Sequence, residues 1–274
     1  MEAPFIGGLT VVAMFLLIAC HVPIGIAMAI TGVLGTGLII GFEPAIALLG
    51  IEPSAAIASQ ELAIIALFLL MGNFAAAAGL SNDLYKLAEA FLGHLKGGLA
   101  MATVATCAGF GAVCGSSLAT TATMTRIALP EMQYRGYSKQ LSTGSIAAGS
   151  TLGIIVPPSV LLVLYAVLTE QFVTALFVAA LGPALIAVLF YMVAVIIYIK
   201  ISPTAGPAAS RLPWTQQATV LRKSWGVILL ASIVSGGIYS GIFTVNEAAS
   251  IGAAVAITFT ALRGKLTRSV FFAN

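Results

Sequence analysis

The chain has 274 residues, of which 60% are hydrophobic and only 8% are charged, and its formal net charge is +3. A soluble domain carries about 25% charged residues, so this composition excludes a soluble domain of any size. Apolar stretches long enough to cross a bilayer recur from Phe5 to Leu262, and the mean hydropathy is +1.09. We therefore predict an all-α, polytopic membrane protein embedded in a lipid bilayer, with no nucleic acid among its partners.

The distribution of charge predicts how the chain is oriented. The connection at residues 41–59 and the turns near Glu170 and Glu247 contain no Lys or Arg, so we expect them to face outside. The basic residues lie in the other segments, which we expect to face the cytoplasm: Lys86, Lys96, Arg126, Arg135, Lys139, Lys200, Arg211, Arg222, Lys223, Arg263, Lys265 and Arg268. Helices at residues 5–20, 24–41 and 62–80 then place the N-terminus outside.

Residues 81–96, SNDLYKLAEAFLGHLK, are too polar to span a bilayer. Their apolar residues recur at helical spacing after a Ser-Asn cap, which predicts an amphipathic helix in the membrane interface. We call this predicted helix the arm.

Residues 97–131 begin and end beside basic residues that we expect to face the cytoplasm, so the chain must enter the membrane and return. Two full spans need about 40 apolar residues, whereas this segment is shorter and is interrupted at Gly115, Ser116 and Ser117. A re-entrant helical hairpin fits this pattern better. Non-helical backbone at membrane depth is tolerated only where protein encloses it or where it lines a cavity, so we interpret the hairpin tip as a site.

A second helix, at residues 139–168, is interrupted by Gly149, Gly153 and the pair Pro157-Pro158. Proline frees carbonyl groups on the preceding turn, and free carbonyls and hydroxyls suit Na⁺ or a proton-carrying water. Exposed helix N-termini favour an anionic group. Close packing of small residues and a proline kink without any ligand is the alternative interpretation of either break.

The remaining segments suggest a second unit of opposite orientation. Residues 172–198 run inward, residues 201–223 form a cytoplasmic linker, and residues 225–241 and 248–262 run outward and inward, with Glu247 capping the last helix. The first unit begins outside and this one begins inside, as expected for an inverted repeat.

Three blocks carry a family resemblance, in this order: GSSLATTATMTRIALPEMQYRGYS, GSIAAGSTLGIIVPPSVLLVLYAVLTEQ and GGIYSGIFTVNEAASIGA. They resemble the large membrane subunit (permease) of the tripartite ATP-independent periplasmic (TRAP) transporters, and the resemblance covers nearly the whole chain. The third block departs slightly, with Val245-Asn246 where the family usually shows Pro-Thr or a near variant.

The resemblance implies an elevator-type secondary transporter of the bacterial inner membrane, with a periplasmic N-terminus and no enzymatic activity. It implies Na⁺ as the coupling ion, a small TRAP membrane subunit, and a periplasmic solute-binding protein that delivers an organic acid. The corresponding domains are scaffold helices and the arm at 1–96, a transport-domain half at 97–200, the linker at 201–223 and the start of a second inverted repeat at 224–274.

The resemblance, together with the polar residues Thr120 and Arg126 of the hairpin, gives two groups of candidate site residues. Na⁺ would contact Gly115, Ser116, Ser117, Gly149, Ser150, Thr151 and Gly153, and the substrate would contact Ser116, Ser117, Thr120, Arg126, Pro157 and Pro158. Alternatives remain open for three polar residues. Thr120 can bond to its own helix, Arg126 can act as an interfacial anchor, and Asn73 fits an interhelical contact better than an ion contact.

The resemblance also implies further helices and a second re-entrant hairpin after Asn274. We therefore expect the chain to be truncated at its C-terminus, completed by a separate chain, or degenerate. A non-transporting or passive assembly subunit, which needs another chain to complete a site, is the alternative function. An enzyme has little support, because His21 and His94 show no metal-ligand spacing and no nucleophile is paired with a base.

Overall fold

The computed structural model describes residues 3–58 and 60–266, and within these ranges every regular element is helical. Among the described residues, two helices are long and apolar enough to cross a membrane, or up to five spans result if each of three sharply bent helix pairs counts as one. The predicted all-α, polytopic membrane protein is confirmed. The chain divides into two compact units, residues 1–59 and 60–274.

The first unit contains helices α1 (Ala3–Ala19), α2 (Ile24–Ile40) and α3 (Phe42–Ala58). The predicted connection at residues 41–59 is helical, since residues 42–58 form α3, and its outward orientation stays a prediction. The acidic side chain of Glu43 lies in its first turn, where it interacts favourably with the positive end of the helix. Gly41, at φ 101°, permits the tight junction with α2.

The second unit begins with α4 (Gln60–Ala78), which bends by 68° at Gly79 into α5 (Leu80–Leu92). Helix α5 corresponds to the predicted arm. Gly79 has φ 83°, and a Cβ atom there would lie 2.9 Å from Lys265 Nζ, so both backbone and space favour glycine. We call this junction the α4–α5 bend.

The predicted hairpin consists of α6 (Gly98–Cys114) and α7 (Ser117–Tyr134), which meet at Gly115 and Ser116. The predicted interrupted helix consists of α8 (Lys139–Ile155) and α9 (Val160–Leu168), with a bend of 43° between them. Both hairpin helices pack against α8. Both predicted helix breaks are confirmed, whereas re-entry of the hairpin into a membrane stays a prediction.

The remaining helices are α10 (Val173–Ile201), α11 (Trp214–Lys223), α12 (Trp225–Ala231), a π-helical turn (Ser232–Gly236), α13 (Gly237–Tyr239) and α14 (Val245–Leu262). The prediction that residues 201–223 form only a loop is wrong in its second half, which is α11. The predicted role of Glu247 is confirmed, since its carboxylate accepts from the backbone N–H of Thr244 at 2.8 Å in a capping box.

The described part of the second unit has two buried clusters. One joins α4 to α14 through large side chains such as Phe68, Met71 and Phe259. The other lies at the end of the hairpin opposite the tip, and we call it the hairpin base; its buried residues include Met124, Met132, Tyr137, Leu141 and Ile199.

The loop at residues 202–213 is hydrogen-bonded through its backbone to the arm and the hairpin base. The N–H groups of Gly97 and Ser138 donate to the carbonyls of Gly206 and Ala205 at 3.0 and 2.8 Å, respectively. The N–H of Ala209 donates to the carbonyl of Gly93 at 3.1 Å. Segments far apart in the sequence are thereby joined into one substructure. The predicted domain boundaries and the inverted repeat stay predictions.

Candidate functional site

The hairpin tip touches the break between α8 and α9. The N–H of Val160 donates to the carbonyl of Gly115 at 3.4 Å, and a Cβ atom on Gly115 would lie 2.9 Å from Val160 N. Gly115 also has φ 60°, a conformation that L side chains rarely adopt. The two helix breaks that the sequence predicts separately therefore form one contact.

The two serines of the tip use their side chains differently. Ser116 has extended backbone, and its Oγ accepts from the N–H of Ala119 at 3.3 Å, which caps α7. Ser117 is half-buried, and its hydroxyl makes no hydrogen bond with any residue that the structure describes. Ser117 thus offers an oxygen that the fold itself does not use.

Thr120 is fully buried inside the tip. Its hydroxyl donates to the carbonyl of Ser116 at 2.8 Å, and its Oγ1 lies 3.2 Å from the thiol of Cys114. The expected bond of a threonine to its own helix is therefore present at this position. The hydroxyl oxygen keeps a free acceptor site after donating its proton, so a role beside a cation stays a prediction.

Helix α8 approaches the tip through its glycines. A Cβ atom on Gly153 would lie 3.2 Å from both the carbonyl oxygen of Ser116 and Thr120 Oγ1, and one on Gly111 would overlap the backbone of Gly153. One turn earlier, Gly149 lies against Cys107, and the buried Ser150 hydroxyl is 3.8 Å from the Cys107 thiol. Gly153 therefore lies at the tip, whereas Gly149 and Ser150 pack against the middle of α6.

The structure does not bring Thr151 to the tip. Its side chain is exposed and lies on another face of α8, where its hydroxyl bonds to the carbonyl of Ala148 at 2.7 Å and lies 3.0 Å from the hydroxyl of Tyr191. A role for Thr151 as a direct ligand at the hairpin tip has no support from this arrangement.

The proline pair is buried beside the tip and contains a cis peptide bond. Because Pro157 and Pro158 have no N–H, the carbonyls of Gly153 and Ile154 lack their usual helical donors. Ser159, which the sequence analysis did not select, donates its hydroxyl to Ile154 O at 2.5 Å. The position of this serine hydroxyl immediately after two prolines is the feature of the sequence that could have identified Ser159. The carbonyl of Gly153 has no such helical donor, and the residue itself packs against the tip.

Carbonyl and hydroxyl oxygens dominate this contact, and none of its residues is charged. Among the described residues no group of three or more His, Cys, Asp or Glu side chains is placed to hold a metal. Hard, uncharged oxygen ligands suit a weakly held Na⁺ better than a transition metal. The Ser117 hydroxyl and the Gly153 carbonyl are the groups that fit this chemistry.

Arg126 lies away from the tip, nine residues further along α7, or about 14 Å along the helix axis. It lines a cavity of about 480 Å³ between the α4–α5 bend and α7, together with Asn73. The side chain of Asn73 makes no hydrogen bond within the described part of the chain, and its role as an interhelical contact stays a prediction. No pattern in the sequence indicates that these two residues share a cavity.

Paired helix breaks inside an all-helical, apolar chain are characteristic of secondary transporters. The family model for the DctM component of tripartite ATP-independent periplasmic transporters matches residues 11–273. The chain belongs to this family, and the resemblance to a TRAP large permease subunit is confirmed.

Relatives of the chain include the C4-dicarboxylate TRAP transporter large permease protein DctM of Pseudomonas aeruginosa, which is 42% identical over 196 residues. This match covers 71% of the chain and 45% of the relative. The isethionate TRAP transporter permease protein DctMQ of Oleidesulfovibrio alaskensis is 35% identical, over 88% of the chain and 37% of its own length. The ectoine permease protein TeaC of Halomonas elongata is 31% identical over 73% and 45%, respectively. The chain spans less than half the length of these curated relatives.

Proposed function

We propose that the chain takes part in Na⁺-coupled uptake of a small organic acid, such as a dicarboxylate, keto acid or sugar acid, by an elevator mechanism. The observation that carries this proposal is the contact between Gly115 at the hairpin tip and Val160 at the α8–α9 break. Two helix breaks in contact supply uncharged oxygens and helix N-termini in one place, which is how secondary transporters build ion and anion sites.

The residues at the tip have different proposed roles in binding. In this proposal the Ser117 hydroxyl and the Gly153 carbonyl contact Na⁺, and the Ser116 side chain holds the first turn of α7 in position. The N-terminus of α7 adds a partial positive charge that favours the anionic group of a substrate. Each Na⁺ that moves inward down a membrane potential contributes about 2.3 kcal/mol per 100 mV, so two ions can concentrate an anion substantially.

The proposed assembly follows from the family. A small TRAP membrane subunit packs beside the chain, and a periplasmic solute-binding protein delivers the substrate at the face that carries the N-terminus. The bacterial inner membrane is the proposed location, with the arm and the hairpin base on the cytoplasmic side. Relatives are named for C4-dicarboxylates and isethionate, which are organic anions, and this supports an anionic substrate.

The test replaces Ser117 with alanine in the assembled transporter in membrane vesicles, with uptake of radiolabelled succinate followed against external Na⁺. Because the Ser117 hydroxyl makes no described hydrogen bond, Ser117→Ala removes a ligand oxygen at little cost to folding. We expect about a tenfold rise in the Na⁺ concentration for half-maximal uptake, as for the loss of one hydrogen-bond-strength contact to a charge.

The matched control is Thr143→Ala on α8, whose exposed hydroxyl donates only to its own helix at Lys139 O, 2.8 Å away. This variant should keep the Na⁺ dependence of the wild type. An unchanged Na⁺ dependence in Ser117→Ala would refute the Na⁺ site at the tip and favour a passive assembly subunit instead.

A further inference from the structure

A narrow groove runs between α8 and α10, beginning at the hairpin base. Its volume is about 230 Å³, and most of its wall is apolar or small: Val104, Leu141, Gly144, Ala148, Ala194 and Val195. Leu141 and Val195 also belong to the buried cluster of the base. A Cβ atom on Gly144 would meet nothing within 4 Å, so the groove is open at this point.

The groove has two different ends, because α8 and α10 run antiparallel along it. Gln140 and Tyr198 line the end at the hairpin base, whereas Ala148 and Tyr191 line the other end. The hydroxyl of Tyr191 lies 3.0 Å from that of Thr151, one turn beyond Ala148. From Gln140 to Ala148 the helix rises about 12 Å. This length is close to the roughly 15 Å of hydrocarbon in one leaflet of a bilayer.

The size of the groove favours an acyl chain over a protein helix. One turn of an α-helix with its side chains fills about 400 Å³ or more, from a diameter of about 10 Å and a pitch of about 5.4 Å. That volume exceeds the whole groove. Helix α10 is also one of the two candidate membrane spans, and only 17% of its most apolar window is buried inside the protein. The groove therefore opens toward the surrounding lipid.

Two lysines follow the groove at the hairpin base. Lys139 directly precedes Gln140, and Lys200 lies two residues after Tyr198, so both lie at the same end. Both side chains are exposed, and neither ammonium group forms an ion pair or a hydrogen bond with any described residue. Two positive charges without acidic partners at one end of an apolar groove favour an anionic headgroup there.

The surroundings of this end contain no acid that could compete for the lysines. Among the described residues that line the groove, none is Asp or Glu. The acids of the hairpin base are committed elsewhere, since Glu89 and Glu131 both pair with Arg135. The charge at the end of the groove is therefore positive.

Uncharged polar groups at the same end can bind a phosphate as well. The amide of Gln140 and the hydroxyl of Tyr198 make no hydrogen bond within the described part of the chain, so both can donate to phosphate or ester oxygens. The N-terminus of α8 begins beside them, and its partial positive charge also favours an anion. Tyrosine at such a position is typical of a membrane interface.

We propose that this groove binds one acyl chain of an anionic phospholipid, whose phosphate lies between Lys139 and Lys200. The inference goes beyond the proposed function, because it involves neither Na⁺ nor the transported substrate. The apolar wall accepts any acyl chain, and the two lysines select a negatively charged headgroup. The bound lipid joins α8, which packs against the hairpin tip through Gly153, to α10.

The test is native mass spectrometry of the purified full chain in detergent. The chain is titrated with phosphatidylglycerol and, separately, with phosphatidylcholine of the same acyl chains. We expect one phosphatidylglycerol to bind about tenfold more tightly than phosphatidylcholine, since only the first carries a net negative charge. Glycerol 3-phosphate has the phosphate but no acyl chain, and it should not bind at the same concentrations.

One pair of variants tests the headgroup. The double variant Lys139→Gln with Lys200→Gln should weaken phosphatidylglycerol binding by about tenfold or more and leave phosphatidylcholine binding unchanged. The matched control is Lys86→Gln with Lys223→Gln, which removes the same charge from two exposed lysines that do not line the groove. This control should bind both lipids as the wild type does.

A second pair of variants tests the acyl chain. Ala148 and Ala147 are neighbours on α8 and both are exposed, but only Ala148 lines the groove. Ala148→Phe should fill the groove and weaken the binding of both lipids by about tenfold or more, because the acyl chain loses its apolar contact. Ala147→Phe adds the same side chain outside the groove and should leave both affinities unchanged.

Several results would overturn the proposal. These are equal affinity of the wild type for the two lipids, equal losses in the two lysine double variants, equal effects of the two phenylalanine variants, or no lipid bound at all. Binding of glycerol 3-phosphate that competes with phosphatidylglycerol would replace the lipid site by a simple anion site. A lipid-free dimer that Ala148→Phe dissociates and Ala147→Phe does not would assign the groove to a second copy of the chain.

Discussion

The two ends of the hairpin are held together by different means. At the tip, glycines bring backbones into contact, and short side chains such as those of Ser116, Thr120 and Thr121 reinforce the turn through local hydrogen bonds. At the base, long polar side chains and backbone hydrogen bonds join the hairpin to the arm and to the loop at residues 202–213. The tip therefore leaves oxygen atoms available, whereas the base commits its polar groups to structure.

Tyr137 and Arg135 show how the base is built. The hydroxyl of Tyr137 accepts from the N–H of Leu99 at 3.1 Å and donates to Pro207 O at 3.0 Å, and burial raises the pKa of this hydroxyl, which keeps it neutral. Partial burial acts against the charge of Arg135, but its ion pairs with Glu131, at 2.7 Å, and with Glu89 raise its pKa overall. Both side chains thus stay in the protonation states that their contacts require.

The largest expected effect on stability comes from disrupting the packing at the hairpin tip. Gly111→Ala would place a methyl group against the backbone of Gly153, which cannot rotate away as a side chain would. We expect a loss of about 2 to 3 kcal/mol in the free energy of unfolding, the upper part of the range for overpacking. Reversible unfolding in mixed detergent micelles measures this. Gly144→Ala on α8 is the control, because its Cβ meets nothing within 4 Å; equal stability of the two variants would contradict close contact at the tip.

A smaller effect should follow from breaking the base. Tyr137→Phe leaves the buried N–H of Leu99 without its acceptor and Pro207 O without its donor, so we expect a loss of about 1 to 2 kcal/mol. Hydrogen exchange should rise at Leu99 while the Ser117 region stays unchanged. Tyr134→Phe is the control, since the Tyr134 side chain is 88% exposed. Faster exchange at the tip would show that the two ends are not independent.

The smallest expected effect on stability tests the different roles of the Ser116 and Ser117 side chains. Ser116→Ala removes the cap of α7 and should cost about 1 kcal/mol of unfolding free energy. Ser117→Ala removes no described hydrogen bond and should stay within about 0.5 kcal/mol of the wild type. The same micelle titration compares both variants. A larger cost for Ser117→Ala than for Ser116→Ala would reverse the roles assigned to the two hydroxyls.

The features that the sequence predicted best are those with a local cause. Glycine and proline interrupt helices through their own backbone chemistry, so the breaks at Gly115 and at Pro157-Pro158 are visible without knowledge of any partner. The cap by Glu247 is equally local. The helix at residues 42–58 was not predicted, because its two acids drew attention to orientation and the apolar residues between them, which form the helix, were not considered.

The parts of the site that sequence did not predict depend on distant segments. Nothing in the sequence around Thr151 shows that α10 presents Tyr191 to it, so its face of α8 was not predictable. Arg126 and Asn73 are 53 positions apart and line one cavity beside the α4–α5 bend. Long-range packing decides which side chains meet, and one sequence carries little information about it.

The backbone pairing of the loop at residues 202–213 has a consequence for the order of folding during synthesis. The hairpin and the arm are complete once Tyr134 has been made, but the carbonyls of Ala205, Gly206 and Pro207 that close the base come about 70 residues later. They follow α10, so a nascent chain must insert that helix before the base can form. Until then the N–H groups of Gly97 and Ser138 lack their acceptors in this loop. The hairpin therefore reaches its final position late in biogenesis.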